Sequence, residues 1–190
     1  MVYKIFEIFV CNILLFVPCL LTNSLFAQHL NYTNGKDSWN ADSLGNHRAV
    51  VTFTGKGNIA KVIIAWCRRD INPDQKRIIV QDAKTGKKIL NVKPGDINRE
   101  SGTVFFEPVS GSGTYYIYYM PTIYEGLNTY YPMGIYRKPE NTANASWANS
   151  ISSTSASIVN CVVKEIQSIN ALNSFYPMEI IPLASEKKKF

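Results

Sequence analysis

Apolar and polar positions alternate with a period of two through most of residues 48–120, and Gly, Pro and Asn break the alternation at short intervals. The densest stretch is GTVFFEPVSGSGTYYIYYMP, from Gly102 to Pro121. Val104, Phe105 and Phe106 lead to Ser110-Gly111-Ser112-Gly113, and Thr114 to Met120 follow. β-branched and aromatic residues on either side of a Gly-Ser break predict a hairpin. Tyr115, Tyr116, Tyr118 and Tyr119 fall two on each face of a strand, because side chains alternate. A tyrosine needs an apolar wall and an outlet for its hydroxyl. The strand therefore belongs in a sheet with one face on a core and the other partly wet.

The same reading extends along the chain. Arg48–Thr54 and Ala60–Trp66 are strands joined by the turn Gly55-Lys56-Gly57-Asn58, with Val62, Ile64 and Trp66 on one face. Arg77–Asp82 and Lys88–Val92 are strands joined by Ala83-Lys84-Thr85-Gly86, a turn that places Gly where a positive φ is wanted. Pro94-Gly95-Asp96 is expected to end the second of these, and Val162–Gln167 is the last clear strand. Helix-period patterns are missing from 48 to 120, which argues against a βαβ fold. Short strands with turn signals every eight to twelve residues predict an all-β protein, a single antiparallel β-sandwich.

Outside the strands, residues 28–46 form a polar, turn-rich arm in which Trp39 stands out. It reads as packing over the sheet edge, with sugar stacking as the alternative. Residues 121–148 form a long aromatic loop, and 149–158 (NSISSTSASI) are of low complexity. One or two short helical turns are expected, at Asn141–Trp147 capped by Asn141 or Thr142, and at Ser168–Asn173. Phe175–Pro182 reads as extended.

Composition narrows the class. Lys4, an apolar run from Ile8 to Leu21 and the small Ala27 describe a secretory signal peptide over residues 1–27, and an uncleaved membrane anchor is the alternative. Cys19 also admits a lipoprotein variety, which Pro18 beside it fits poorly. The expected location is therefore secreted, periplasmic or at the outer cell surface, with no membrane contact after cleavage. The formal charge is +6, but the bases are scattered, which speaks for a solvated surface and against nucleic acid. Beyond the leader only Cys67 and Cys161 remain, either a disulfide or two small buried residues. His29 and His47 are the only histidines, so neither a histidine metal site nor a Ser-His-Asp triad is expected, and no cofactor is implied.

Carboxylate pairs are the natural chemistry to look for in an exported protein. Asp70, Asp74, Glu100, Glu107 and Glu165 qualify by type, but no spacing forces two of them together. Gly55-x-Gly57 and Gly111-x-Gly113 read as hairpin turns, not phosphate cradles, since no helix signal follows. Trp39, Tyr124, Tyr130, Tyr131 and Trp147 are the candidate glycan contacts, set against the plainer reading of aromatic packing. No catalytic or metal residue is nominated.

Several segments in order carry a resemblance: Leu44-Gly45-Asn46-His47-Arg48-Ala49-Val50-Val51, Trp66-Cys67-Arg68-Arg69-Asp70, Asp82-Ala83-Lys84-Thr85-Gly86, Val104-Phe105-Phe106-Glu107-Pro108, Tyr115 to Pro121, Glu165-Ile166-Gln167-Ser168 and Phe175-Tyr176-Pro177-Met178-Glu179. Over most of 38–184 the chain resembles the N-terminal β-sandwich region of large secreted Bacteroidota glycoside hydrolase domain-containing proteins, similar to glycoside hydrolase family 123. The resemblance implies a catalytic (β/α) barrel after the sandwich. There, neighbouring acids act with help from the substrate's acetamido group. No residue here matches that catalytic motif, and Cys67 stands where an arginine is expected.

The resulting expectation is a leader at 1–27, an arm at 28–46, a sandwich at 47–184, and a tail at 185–190 where a catalytic domain would begin. The Lys-Lys-Lys-Phe ending suggests a truncated or frame-disrupted reading of a longer gene. The expected function is a non-catalytic module of a glycoside hydrolase-like protein, with a glycan and a catalytic barrel domain or chain as partners. A free-standing glycan-binding module and a self-contained glycosidase are the alternatives.

Overall fold

Strands dominate the computed structural model, which describes residues 31–34, 39–66, 68, 71–125, 133–153 and 157–169. They are β1 (Asn31–Asn34), β2 (His47–Phe53), β3 (Ile59–Ala65), β4 (Ile79–Asp82), β5 (Lys88–Ile89), β6 (Val92–Ile97), β7 (Ser101–Phe106), β8 (Gly113–Tyr118), β9 (Thr122–Glu125), β10 (Met133–Tyr136), β11 (Ile158–Asn160) and β12 (Val162–Ser168). Among the described residues, two short α-helices, α1 (Ala41–Leu44) and α2 (Ala145–Ser150), and a 3-10 turn at Pro73–Gln75 accompany them. One layer is a six-stranded sheet in the order β1-β12-β2-β8-β4-β5, the other a four-stranded sheet β11-β3-β7-β6, and β9 and β10 form a separate ribbon. The all-β sandwich expected from the alternation is what forms. No helix among the described residues is long and apolar enough to cross a membrane.

The core lies between the layers, and the alternation explains its membership. Ala49, Val51 and Phe53 of β2, with Tyr115 and Ile117 of β8, face Val62 and Ile64 of β3 and Val104 and Phe106 of β7. All are buried. Trp66 joins them, as the shared face of Val62, Ile64 and Trp66 predicts. In β12 the buried residues Val163 and Ile166 are three apart, an odd spacing that a strand of period two does not allow. A register shift between Val163 and Glu165 restores the phase. Each large side chain so buried contributes about 1.5–3 kcal/mol.

The hairpin expected at Gly102–Pro121 does not form. β7 pairs with β3 and β6 in one layer, and β8 pairs with β2 and β4 in the other. The Gly-Ser break is thus an arch between layers, and so is Gly55–Asn58, which joins β2 to β3. The Ser112 hydroxyl accepts from the Gly55 N–H and donates to the Gly55 carbonyl, both at 3.1 Å, stitching the arches together. Tyr115 closes the second arch by donating its hydroxyl to the Gly111 carbonyl at 2.8 Å. Alternation says which face of a strand is buried but not which sheet it joins, so a hairpin and an arch look alike in sequence.

Other boundaries move for similar reasons. Lys88–Val92 is not one strand, because β5 ends in the six-stranded sheet and β6 begins in the other. Pro94-Gly95-Asp96 continues β6 instead of ending it. An edge strand tolerates a proline, which has no N–H to offer, and the register shifts between Pro94 and Ile97. The Ala83–Gly86 turn is as read, with Gly86 at φ 68°. The Asp82 carboxylate accepts from the Lys84 and Thr85 amides at 2.8 Å. A hydrogen bond from Ser110, with help from those amides, holds that carboxyl below its ordinary value.

The helix read at Asn141–Trp147 begins later, at Ala145. Its cap is Asn144, whose side chain accepts from the Ser146 and Trp147 amides. The sandwich is also not purely antiparallel, because β1 runs parallel to β12 and β11 parallel to β3. Both pairs join segments far apart in sequence, as a parallel pairing requires. β1, α1 and the β9–β10 ribbon lie in segments read as arm or loop. The leader 1–27, the tail 185–190, residues 170–173 and the extended segment 175–182 lie outside the described residues.

Candidate functional site

Two features of the surface stand out, one joining polar and aromatic groups and one joining polar and aliphatic groups. The first lies on the outer face of the six-stranded sheet. In RAVVTF the inward residues are Ala49, Val51 and Phe53, so Arg48 must point outward, yet only 5% of it is exposed. Trp39 of the arm covers it. The Arg48 guanidinium stands 4.3 Å from the Trp39 ring centre and 3.7 Å from that of Tyr116. Trp39 meets Tyr118 edge to face at 6.0 Å and donates its indole N–H to the Gly45 carbonyl at 2.7 Å. Gly45 itself has φ 80°, and a Cβ there would stand 2.2 Å from the Met120 carbonyl oxygen, so only glycine lets the arm sit this close.

A hydrogen-bonded row crosses four strands of that face. Thr33 of β1 donates to Glu165 of β12 at 2.9 Å, and Gln167 donates to the other Glu165 oxygen at 2.7 Å. Arg48 of β2 donates to Gln167 at 2.7 Å and to the Tyr118 hydroxyl of β8 at 3.3 Å. Burial pushes the Tyr118 phenol up from its ordinary value, against the pull of Arg48. Chemically the row is a fixed polar layer whose cation is shielded by two rings.

The second feature is a cleft of about 360 Å³ at the seam where the chain leaves β5 and enters β6. Ile78, Ile89 and Val92 give it an apolar floor, and residues 139–143 with Ala148 of α2 form the opposite wall. Lys76, Lys88 and Lys93 line it, and Glu140 is its one carboxylate among the described residues. Glu140 pairs with Arg77 at 3.1 Å and Lys88 at 3.3 Å. Sequence reasoning missed this group. Its members are spread from 76 to 148, and no local pattern announces it.

The nominated glycan contacts do not assemble into one platform among the described residues. Trp39 packs on the face of the six-stranded sheet. Trp147 is buried in α2 beside the other layer, donating to the Asn58 carbonyl at 3.3 Å. Tyr124 lies in β9, paired with Gly134 of β10, and its side chain is outside the described residues. Tyr130 and Tyr131 lie outside them altogether. Among the carboxylates, Glu107 accepts from Asn91, Glu165 accepts from Thr33 and Gln167, and Asp74 and Glu100 are exposed. Asp70 and Cys67 are outside the described residues, while Cys161 carries a free thiol whose burial raises its pKa to about 11. No group of three metal-ligating side chains occurs among the described residues.

Comparison with curated proteins finds no match, and comparison with solved structures finds none either. A family model described as "Glycoside hydrolase 123, N-terminal domain" matches residues 37–169, from the arm that carries Trp39 to the end of β12. That span holds both layers of the sandwich except β1, both arches and the Arg48 row except Thr33, and this chain belongs to the family of glycoside hydrolase 123 N-terminal domains.

Proposed function

We propose that this chain is a secreted, non-catalytic β-sandwich module of a glycoside hydrolase-like protein, exported by a leader at 1–27. It supports a catalytic barrel carried by another domain or chain, and it meets neither nucleic acid nor, after cleavage, a membrane. The observation that carries this reading is the match of 37–169 to an N-terminal domain, the part of a glycoside hydrolase 123 protein that precedes the remainder. The carboxylates add to it. Both oxygens of Glu165 and one of Glu107 accept from neighbouring side chains, and one Glu140 oxygen meets two cations. An acid so engaged is poorly placed to protonate a leaving group. The test is to assay purified residues 28–190 on N-acetylgalactosaminides and other glycosides. No product is expected, and release that a single Asp or Glu substitution abolishes overturns the reading.

A second reading is a module that binds glycan by itself. The cleft beside β5 and β6 favours it, since a scaffold alone needs no such concavity. Glycan-array binding that disappears on Tyr130→Ala would place the contact in the aromatic loop.

A further inference from the structure

We infer that the cleft between β5, β6 and residues 139–148 is a binding site for an acidic saccharide, one bearing a carboxylate or a sulfate ester. The inference rests on the glycan-binding reading and goes beyond it in naming the site and the ligand's charge. Three observations carry it. The cleft volume of about 360 Å³ sits at the lower end of the roughly 300–1,000 Å³ typical of small-molecule sites, enough for a mono- or disaccharide. Its floor is Ile78, Ile89 and Val92, an apolar surface suited to the C–H face of a sugar ring.

Its charge is the third. Lys88 shares Glu140 with Arg77, which leaves Lys76 and Lys93 as cations with no carboxylate in ion-pair reach among the described residues. Both are half-buried. The Lys93 ammonium donates to the Ala148 carbonyl at 3.3 Å, which holds its stem along the cleft wall and leaves two further protons to offer. The Lys76 ammonium stands 5.2 Å from the Tyr136 ring centre, a contact that fixes its position without neutralising it. Two ammonium groups above an apolar floor favour an anion, and the floor selects an anion attached to a ring over a bare ion.

The experiment is calorimetric titration of the purified protein with four probes. They are a uronate-terminated disaccharide, a sulfated disaccharide, a neutral disaccharide of the same size, and inorganic sulfate. Either acidic sugar should bind at least about tenfold tighter than the neutral one and than inorganic sulfate. Which of the two binds distinguishes carboxylate from sulfate ester. The K76A/K93A variant should lose about tenfold or more of that affinity while its thermal midpoint stays close to the parent. K93R, which keeps the charge, should retain most of the binding. Inorganic sulfate binding as well as the sulfated sugar overturns the saccharide part. Acidic-sugar binding that survives K76A/K93A places the ligand elsewhere and overturns the site. Neutral glycan binding lost on Tyr130→Ala, with no acidic preference, overturns this inference and leaves the glycan-binding module standing. Binding of no saccharide at all overturns both.

Discussion

The Arg48 guanidinium lies 4.3 Å from the centre of the Trp39 ring, and this contact fastens the N-terminal arm to the outer face of the six-stranded sheet. The same guanidinium holds Tyr116, Tyr118 and Gln167, so one side chain from β2 gathers the arm, β8 and β12. Arginine suits the place because its planar fork stacks and donates at once. Arg48→Lys keeps the charge but loses the fork, and we expect it to cost about 2–3 kcal/mol in urea unfolding. A cycle with Trp39→Ala should give a coupling of about 1–2 kcal/mol, and additive effects would show that the stacking carries no energy.

Gly102 on β7 lies under the indole of Trp66. A Cβ there would stand 2.0 Å from the ring. The ring cannot retreat freely, since its N–H donates to the Asn98 carbonyl at 2.8 Å and it packs on Tyr119 at 4.9 Å. Gly102→Ala is therefore expected to cost about 3 kcal/mol, read by thermal melting with tryptophan emission as the probe. Gly111→Ala is the contrast. With φ 71° and open space around it, it should cost only the backbone strain, about 1–2 kcal/mol. Equal costs would show that the indole moves aside.

His47 opens β2 opposite Ser168, and burial lowers its pKa to about 3. An unfolded histidine titrates near 6.5, so between these values the unfolded chain takes up the proton first. This contribution to stability is complete above about pH 6.5 and falls by about 1.4 kcal/mol per unit as the pH drops toward 3. From pH 7 to pH 5, before most carboxylates titrate, the loss should be about 2 kcal/mol by urea titration. His47→Gln should flatten that slope, and a parent protein equally stable at both pH values would contradict the assignment.

Cys161, half-buried ahead of β12, carries a thiol raised to about 11 by burial. Little of it is thiolate at pH 8, so iodoacetamide should label it roughly tenfold or more slowly than in urea. Peptide mapping reads the site. Labelling that requires prior reduction would reveal a bridge and refute the free thiol.

Much of the fold was legible along the chain. Tyr115 and Ile117 face the core and Tyr116 the outside because side chains alternate, a rule that needs no partner strand. Gly86 announces its positive φ for an equally local reason. The arches at Ser112 and Gly55 were not legible, since partner choice depends on distant segments, as in the pairing of His47 with Ser168. The site was harder still. Lys76, Lys93 and Glu140 meet only because the chain changes layers at Leu90-Asn91 and returns along 137–144. Trp39 was readable as a packing residue, but its partner Arg48 was not.

The sequence alone determined the strand class, the buried face of most strands and, through its ordered motifs, the family. These follow from local periodicity, turn chemistry and side-chain type. Which strand lies beside which, where the arm is seated and where Lys76 and Lys93 share a cleft were decided only in three dimensions. Layer membership and charge proximity are non-local quantities, set by the packing of two apolar faces that many strand orders could satisfy equally well in one dimension.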